Sequence, residues 1–214
     1  MKYRKLVENA KKPNGFWGKM MIKAMNKGHS SLTSWGLEHI NIERTATVLD
    51  IGCGGGKTVD RLCSIVANGK VYGIDYSELS VKSSEKLNSK NILCNKAKIL
   101  QASVSDMPFD DNTFDNITAV ETYYFWPDKE NDVKEVFRVL KQGGTVMLLF
   151  EMLRTDDDPF KWEKVENMLN IKSVTPQEIR SVLESAGFEN INTYTKEGTT
   201  WLCATAQKPK DDEN

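Results

Sequence analysis

Residues 48–57, Val-Leu-Asp-Ile-Gly-Cys-Gly-Gly-Gly-Lys, constrain the fold more than any other stretch of the 214-residue chain. Apolar β-formers run into an acid, Asp50, and then into a glycine-rich turn. Beyond the turn, Val59, Leu62, Cys63 and Val66 recur at helical spacing. Strand, tight glycine turn and helix open a nucleotide-binding βαβ unit. Gly52 and Gly54 let the backbone bend sharply and approach a ligand where a Cβ would collide. The helix that follows offers its free N–H groups to an anion. A dinucleotide fingerprint, G-x-G-x-x-G counted from Gly52, requires glycine where Lys57 stands. The spacing present is acid-x-G-x-G-x-G, from Asp50, Gly52, Gly54 and Gly56.

The rest of the chain continues an α/β alternation. Residues 70–75 form a second apolar strand ending in Asp75, about twenty residues past the turn, where α/β cofactor domains place a carboxylate for ribose hydroxyls. A helix is expected over 77–88, a third strand over 97–102 and a fourth over 116–120. The fourth runs into Glu121-Thr122-Tyr123-Tyr124-Phe125-Trp126-Pro127. Ligands of open α/β sheets sit outside the carboxyl ends of the strands, so this aromatic run reads as the wall of an apolar pocket with polar tips. Its faces also suit a cation.

A helix over 129–140 stops at Gly143-Gly144, which launch a fifth strand over 145–150. Residues 151–172 read as irregular, and the run Asp156-Asp157-Asp158 as a surface loop rather than a metal site. Thr175-Pro176-Gln177-Glu178 is a capping box that starts a helix closed by Gly187. Two strands, 190–194 and 200–207, finish the domain, and residues 208–214 form a charged tail expected to fray.

Three further segments deepen the pattern. Residues 103–115 resemble the G-D-A-x-x-L-P-F-x-x-x-x-F-D segment of methyltransferases related to the ubiquinone/menaquinone C-methyltransferases, with Ser103 in the place of the acid and Val104 after it. Residues 138–144, R-V-L-K-Q-G-G, resemble the R-V-L-K-P-G-G signature of the same family, with Gln142 for proline. Together with the spacing around Asp50, these segments resemble the class I S-adenosylmethionine-dependent methyltransferases over roughly residues 45–207.

The resemblance implies an α/β, Rossmann-like fold with a mostly parallel seven-stranded sheet, helices on both faces and a closing antiparallel strand pair. It also implies S-adenosylmethionine as cofactor and S-adenosylhomocysteine as product. The methionine end would lie over Gly52, Cys53 and Gly54 beside Asp50, the ribose on Asp75, and the adenine by Tyr76, Ser103 and Val104. Asp106 is an alternative to Ser103 for the adenine contact. The region before residue 45 resembles the variable cap of this superfamily, which usually confers substrate choice.

That region carries Phe16, Trp17, Met20, Met21, Ala24 and Met25 as adjacent pairs spaced by four, a helical stripe ending at Gly28. A second short helix bears Leu32, Trp35, Leu37 and Ile40. Such a stripe packs against the main sheet or lids the cofactor and supplies an apolar wall, and one helix can do both. Methyl transfer to a phenol, carbon acid or ammonium needs a base. The candidates are His29, ahead of His39, in the cap, Glu121 at the strand end, and the Tyr123 and Tyr124 hydroxyls as orienters, with His29, Glu121 and Tyr124 the preferred set. Glu121 also suits the amino group of the cofactor.

Composition sets the outer bounds. With 39% hydrophobic residues the chain can bury a sizeable core, and no apolar run is long enough to span a bilayer. A net charge of -1 argues against nucleic acid as a partner. Basic residues nonetheless crowd the start: Lys2, Arg4, Lys5, Lys11, Lys12, Lys19, Lys23 and Lys27 face only Glu8. They read as a solvated helical face or a local anion-steering patch. Cys53, Cys63, Cys94 and Cys203 show no metal or disulfide spacing and read as free thiols in a reducing cytoplasm. The expected protein is a methyltransferase acting on a small-molecule acceptor. A protein or RNA methyltransferase and a non-catalytic cofactor-binding protein are the alternatives. No motif specifies an oligomeric state.

Overall fold

A computed structural model of the protein describes residues 10–210. Seven strands form one sheet: β1 (Thr47–Ile51), β2 (Lys70–Asp75), β3 (Ala97–Gln101), β4 (Phe114–Val120), β5 (Leu140–Phe150), β6 (Glu189–Thr195) and β7 (Leu202–Gln207). Their order across the sheet is β3-β2-β1-β4-β5-β7-β6. The first five are parallel, and β7 runs antiparallel to both β5 and β6. The chain reverses its lateral direction between β3 and β4, so the crevice over the ends of β1 and β4 is the topological switch point.

Eight α-helices are present among the described residues: α1 (Gly15–Gly28), α2 (Ser30–Leu37), α3 (Lys57–Ile65), α4 (Glu78–Leu87), α5 (Ser89–Leu93), α6 (Lys129–Val139), α7 (Glu163–Leu169) and α8 (Pro176–Ser185). Alternation along each strand sorts the core onto two faces. On β5, Val146, Leu148 and Phe150 join Val133, Val136, Ile179 and Leu183 beneath α6 and α8. The intervening Met147 and Leu149 turn to the opposite face and meet Leu32 of α2. On that face Val48, Val59, Leu62 and Val81 lock α3 and α4 over β1 and β2. Helix α2 sits close to the sheet because residue 36 is glycine: a Cβ there would lie 2.7 Å from the Leu149 side chain.

Local signals place several boundaries as the residues predict. Thr175 accepts from the Glu178 backbone while Glu178 returns a bond to the Thr175 N–H, a complete capping box. Ser77 and Asp128 cap α4 and α6 by the one-way bond alone, their side chains accepting from the Ser80 and Asn131 N–H groups. Other expectations need correction. Helix α6 ends at Val139 and β5 begins at once with Leu140; Gly143, at φ +71°, turns a bulge inside that strand and is not a helix C-cap. The stretch over 151–172 contains α7, and Trp162 of the preceding turn donates to the Leu153 carbonyl at 3.0 Å.

Lys208, grouped by sequence with a fraying tail, is buried. Its ammonium donates to the carbonyls of Phe137 (2.8 Å) and Leu140 (2.9 Å) and to the Asn112 side chain (2.8 Å). Residues 211–214 of that tail, and Lys2, Arg4, Lys5 and Glu8 of the basic start, lie outside the described residues.

Candidate functional site

The turn after β1 is left-handed at Gly52 (φ +69°), Gly54 (φ +51°) and Gly56 (φ +81°). At Gly52 the conformation and the space both demand glycine, since a Cβ would lie 2.7 Å from the Thr122 Cβ and overlap its hydroxyl. At Gly55 a Cβ would press on Ile22, 2.6 Å away, so the glycine admits α1 onto the turn. The Asn26 amide reaches the Gly55 carbonyl at 3.4 Å. Cys53 contributes backbone to the turn; its buried thiol faces Ser84 at 3.8 Å.

Asp75 ends β2 and holds the turn in place. One carboxylate oxygen accepts from Gly54 N–H at 3.0 Å, the other from Ser77 N–H at 2.8 Å. Asp50 is buried beneath the turn and accepts from the Thr118 hydroxyl at 2.7 Å. Tyr76 donates its hydroxyl to the Lys11 carbonyl, and the Ser77 hydroxyl bonds the Pro13 carbonyl at 3.0 Å. The segment before α1 is thereby fastened across the end of β2.

Two connected lobes open above this floor and share Gly52, Asp75, Tyr76, Thr122 and Phe125. The larger, about 850 Å³, runs from Ala102, Ser103 and Val104 past Tyr124, Phe125 and Trp126 to Asn170 and Ile171. The smaller, about 100 Å³, lies under α1 and α2 and is lined by Met25, Asn26, His29, Asp50 and Glu121. Ser103 and Val104 border the cleft, whereas Asp106 does not. The Ser103 hydroxyl accepts from the Ser105 N–H at 3.2 Å.

The aromatic run divides between core and cleft. Tyr124, Phe125 and Trp126 wall the larger lobe. Tyr123 instead packs edge-on against Phe150 at 5.6 Å and does not line it, so its expected part in the pocket wall and as an orienter is corrected. The two histidines part in the same way. His29, between α1 and α2, faces the smaller lobe, while His39 stacks on Tyr194 at 4.1 Å, away from the cleft. In the methionine stripe, Met25 borders the cleft but Met20 and Phe16 point to solvent. Ile22, which the stripe omits, is the buried contact.

His29, Glu121 and Glu151 bring ligating atoms within 4.8 Å of one another. Glu121 sits at φ +57°, a left-handed conformation unusual for a non-glycine residue and characteristic of functional turns. Its carboxyl accepts from the Tyr124 hydroxyl at 3.2 Å and from the Glu151 N–H. The Tyr124 hydroxyl in turn accepts from Met152 N–H at 2.9 Å, which fixes it as an orienter of Glu121. Sequence reading did not single out Glu151; its position one residue past β5, parallel to Glu121 past β4, was the available signal.

Burial dominates the electrostatics. It pushes Glu121 from an ordinary 4.5 to about 8, with the Glu151 charge adding to the effect. It pushes Asp50 from 3.8 to about 7. His29 moves the other way: burial lowers it, so its imidazole is neutral at pH 7. A carboxyl raised on folding stabilises the protein at low pH and loses that contribution as pH climbs through the folded value. For Glu121 and Asp50 the loss runs from their ordinary values, 4.5 and 3.8, up to about 8 and about 7, and between pH 6.5, above which His29 no longer opposes it, and about 8 it stands alone. The melting temperature of the ligand-free protein is therefore expected to fall across this window, and Glu121→Gln to flatten the fall. Parallel thermal melts of both proteins check it; identical slopes would remove Glu121 as a source.

The strand order, the glycine turn and the cleft at the switch point define a class I methyltransferase architecture. A family model described as a methyltransferase domain matches residues 49–148. The chain is 27% identical over 183 residues to the YdaC methyltransferase of Bacillus subtilis (strain 168), covering 85% of this chain and 93% of that protein. It is 30% identical over 181 residues to the ubiquinone/menaquinone biosynthesis C-methyltransferase UbiE of Cronobacter sakazakii, covering 73% of this chain and 72% of that protein. The methyltransferase solved with the Haloferax volcanii Trm112 methyltransferase activator superposes with a TM-score of 0.74 at 19% identity, covering 88% and 93% of the two chains.

The chain belongs to the class I S-adenosylmethionine-dependent methyltransferases, of the ubiquinone/menaquinone C-methyltransferase-like type. S-adenosylmethionine is its cofactor. The site fits that group: the turn is open above Gly54, where among the described residues only the Gly52 carbonyl comes within 4.0 Å of a built Cβ, and the Asp75 carboxylate lies beside it.

Proposed function

We propose that the protein methylates an apolar or aromatic small molecule that enters through the larger lobe and presents its accepting atom at the junction with the smaller lobe, which His29 and Glu121 line. The observation that carries this reading is the continuity of the cleft, from the glycine turn and Asp75 to a wall of Tyr124, Phe125 and Trp126. The UbiE relative is named for ubiquinone/menaquinone biosynthesis, and quinones are apolar, aromatic-like molecules of this kind. In this reading residues 45–207 form the catalytic domain, and the described part of residues 1–44 is a lid that confers substrate choice. Asp75 takes the ribose hydroxyls, Tyr76, Ser103 and Val104 flank the adenine, and Asp50, Gly52, Cys53 and Gly54 receive the methionine end. The four free thiols suit a cytoplasmic site of action.

S-adenosylmethionine supplies a methyl group already activated on a sulfonium. The chain's own task is alignment, exclusion of water and removal of a proton from the acceptor. His29 is the base, because its imidazole is neutral at pH 7 and makes no hydrogen bond to a described side chain. Glu121, oriented by Tyr124, stands within reach of either His29 or the cofactor's amino group.

The test is S-adenosylhomocysteine formation with quinol, phenol and lipid-like acceptors. Turnover is expected with at least one, and His29→Ala is expected to lower it about 10²- to 10⁴-fold with cofactor affinity little changed. The rate should fall as pH drops below the ordinary imidazole value of 6.5, and His29→Ala should abolish that dependence. Methylation of protein or RNA but of no small molecule would select the macromolecular reading. Cofactor binding without any turnover would select the non-catalytic one.

A further inference from the structure

The outward face of α1 carries two adjoining rows. Phe16, Met20 and Ala24 form one, Lys19, Lys23 and Lys27 the other, each repeating every four residues. All six are exposed, Phe16 by 70% and Met20 by 43%. No acid occurs between residues 10 and 37, while the chain as a whole is at -1, so the positive charge is segregated onto this end. None of the three lysines pairs with a described residue. The opposite face of the helix is committed: Gly18 and Ile22 are buried, and Met25 and Asn26 border the cleft.

We infer that α1 is an interfacial helix that seats the protein on a bilayer bearing anionic lipid headgroups. An apolar row beside a cationic row, on a helix about 21 Å long, is the arrangement that lies in the plane of an interface. The apolar side chains enter the headgroup boundary, and the lysines reach the phosphates with their stems laid along it. The lysine row alone would serve any polyanion; the exposed Phe16 and Met20 rows with it favour lipid over nucleic acid, whose phosphates offer nothing to apolar side chains.

The experiment is co-sedimentation of the full chain with vesicles of phosphatidylcholine alone and of phosphatidylcholine mixed with phosphatidylglycerol. Binding is expected to the mixed vesicles and to weaken with salt. Lys19→Glu/Lys23→Glu/Lys27→Glu should lower the partition coefficient roughly 100-fold or more, and Phe16→Ser/Met20→Ser about 10-fold or more. Calorimetric S-adenosylmethionine binding should be unchanged in both variants, which shows that they fold. Three results would overturn the inference: no sedimentation with mixed vesicles, equal sedimentation with both kinds, or full sensitivity to the lysine change with none to the Phe16/Met20 change.

Discussion

Asp75→Ala is expected to reduce S-adenosylmethionine affinity by roughly 100-fold or more, on the scale of losing two charge-assisted hydrogen bonds. The effect has two sources. The carboxylate is the one proposed above to take the ribose hydroxyls, and it also receives the Gly54 and Ser77 N–H groups at 3.0 and 2.8 Å. Removing it takes away the proposed ribose contact and leaves the Gly54 and Ser77 N–H groups without their acceptor, so the turn itself loosens. Asp75→Asn keeps one acceptor and should lose less. Gly52→Val attacks the same site from the other side. It asks a β-branched residue to adopt φ +69° and drives its Cβ into Thr122. Calorimetric titration with S-adenosylmethionine and S-adenosylhomocysteine checks both, with circular dichroism confirming folding. Affinities within threefold of wild type would displace the cofactor from this turn.

Lys208→Met is expected to cost about 2–4 kcal/mol of stability without touching the cleft. The wild-type ammonium serves the Phe137 and Leu140 carbonyls and Asn112, and lies 4.6 Å from the Phe137 ring centroid. These carbonyls belong to the last turn of α6 and its exit into β5, where a cation also complements the helix dipole. Methionine keeps the apolar stem and deletes the donors, so acceptors stay buried and unpaired. For a chain of this size that loss lowers the melting temperature by about 5–15 °C. Urea melts of the two proteins measure it. A change under about 0.5 kcal/mol would show that water replaces the ammonium at no cost.

Lys208 also shows where sequence reading stops. Its neighbours in the chain, Lys210, Asp211 and Asp212, are those of a tail, and its partners lie 68 to 96 residues away. Nothing local announces them. The same holds for Glu151, and for the reason that His29 rather than His39, and Tyr124 rather than Tyr123, reaches the cleft, preferences the residue types alone could state but not explain. In each pair the residue types are equivalent, and what separates them is which side of a turn faces the cleft. Gly143 misled because a glycine after a helix is the usual sign of its end; the strand pairing of Leu140 with Phe114 claims the chain first.

What the amino-acid sequence determined by itself was everything carried by short-range chemistry. The glycine turn from Asp50 to Gly56, the acid closing β2, the capping box at Thr175 and the alternation of strand with helix each depend on residues a few positions apart. Their consequence is the sheet and the placing of a cofactor crevice at its switch point. The tertiary structure alone decided which of several equivalent polar side chains share that crevice and how strongly they are perturbed. Burial raises Glu121 to about 8 and lowers His29, and burial is a property of the assembled layers. It arises when α1, α2 and the ends of β4 and β5 converge, from segments separated by more than a hundred residues.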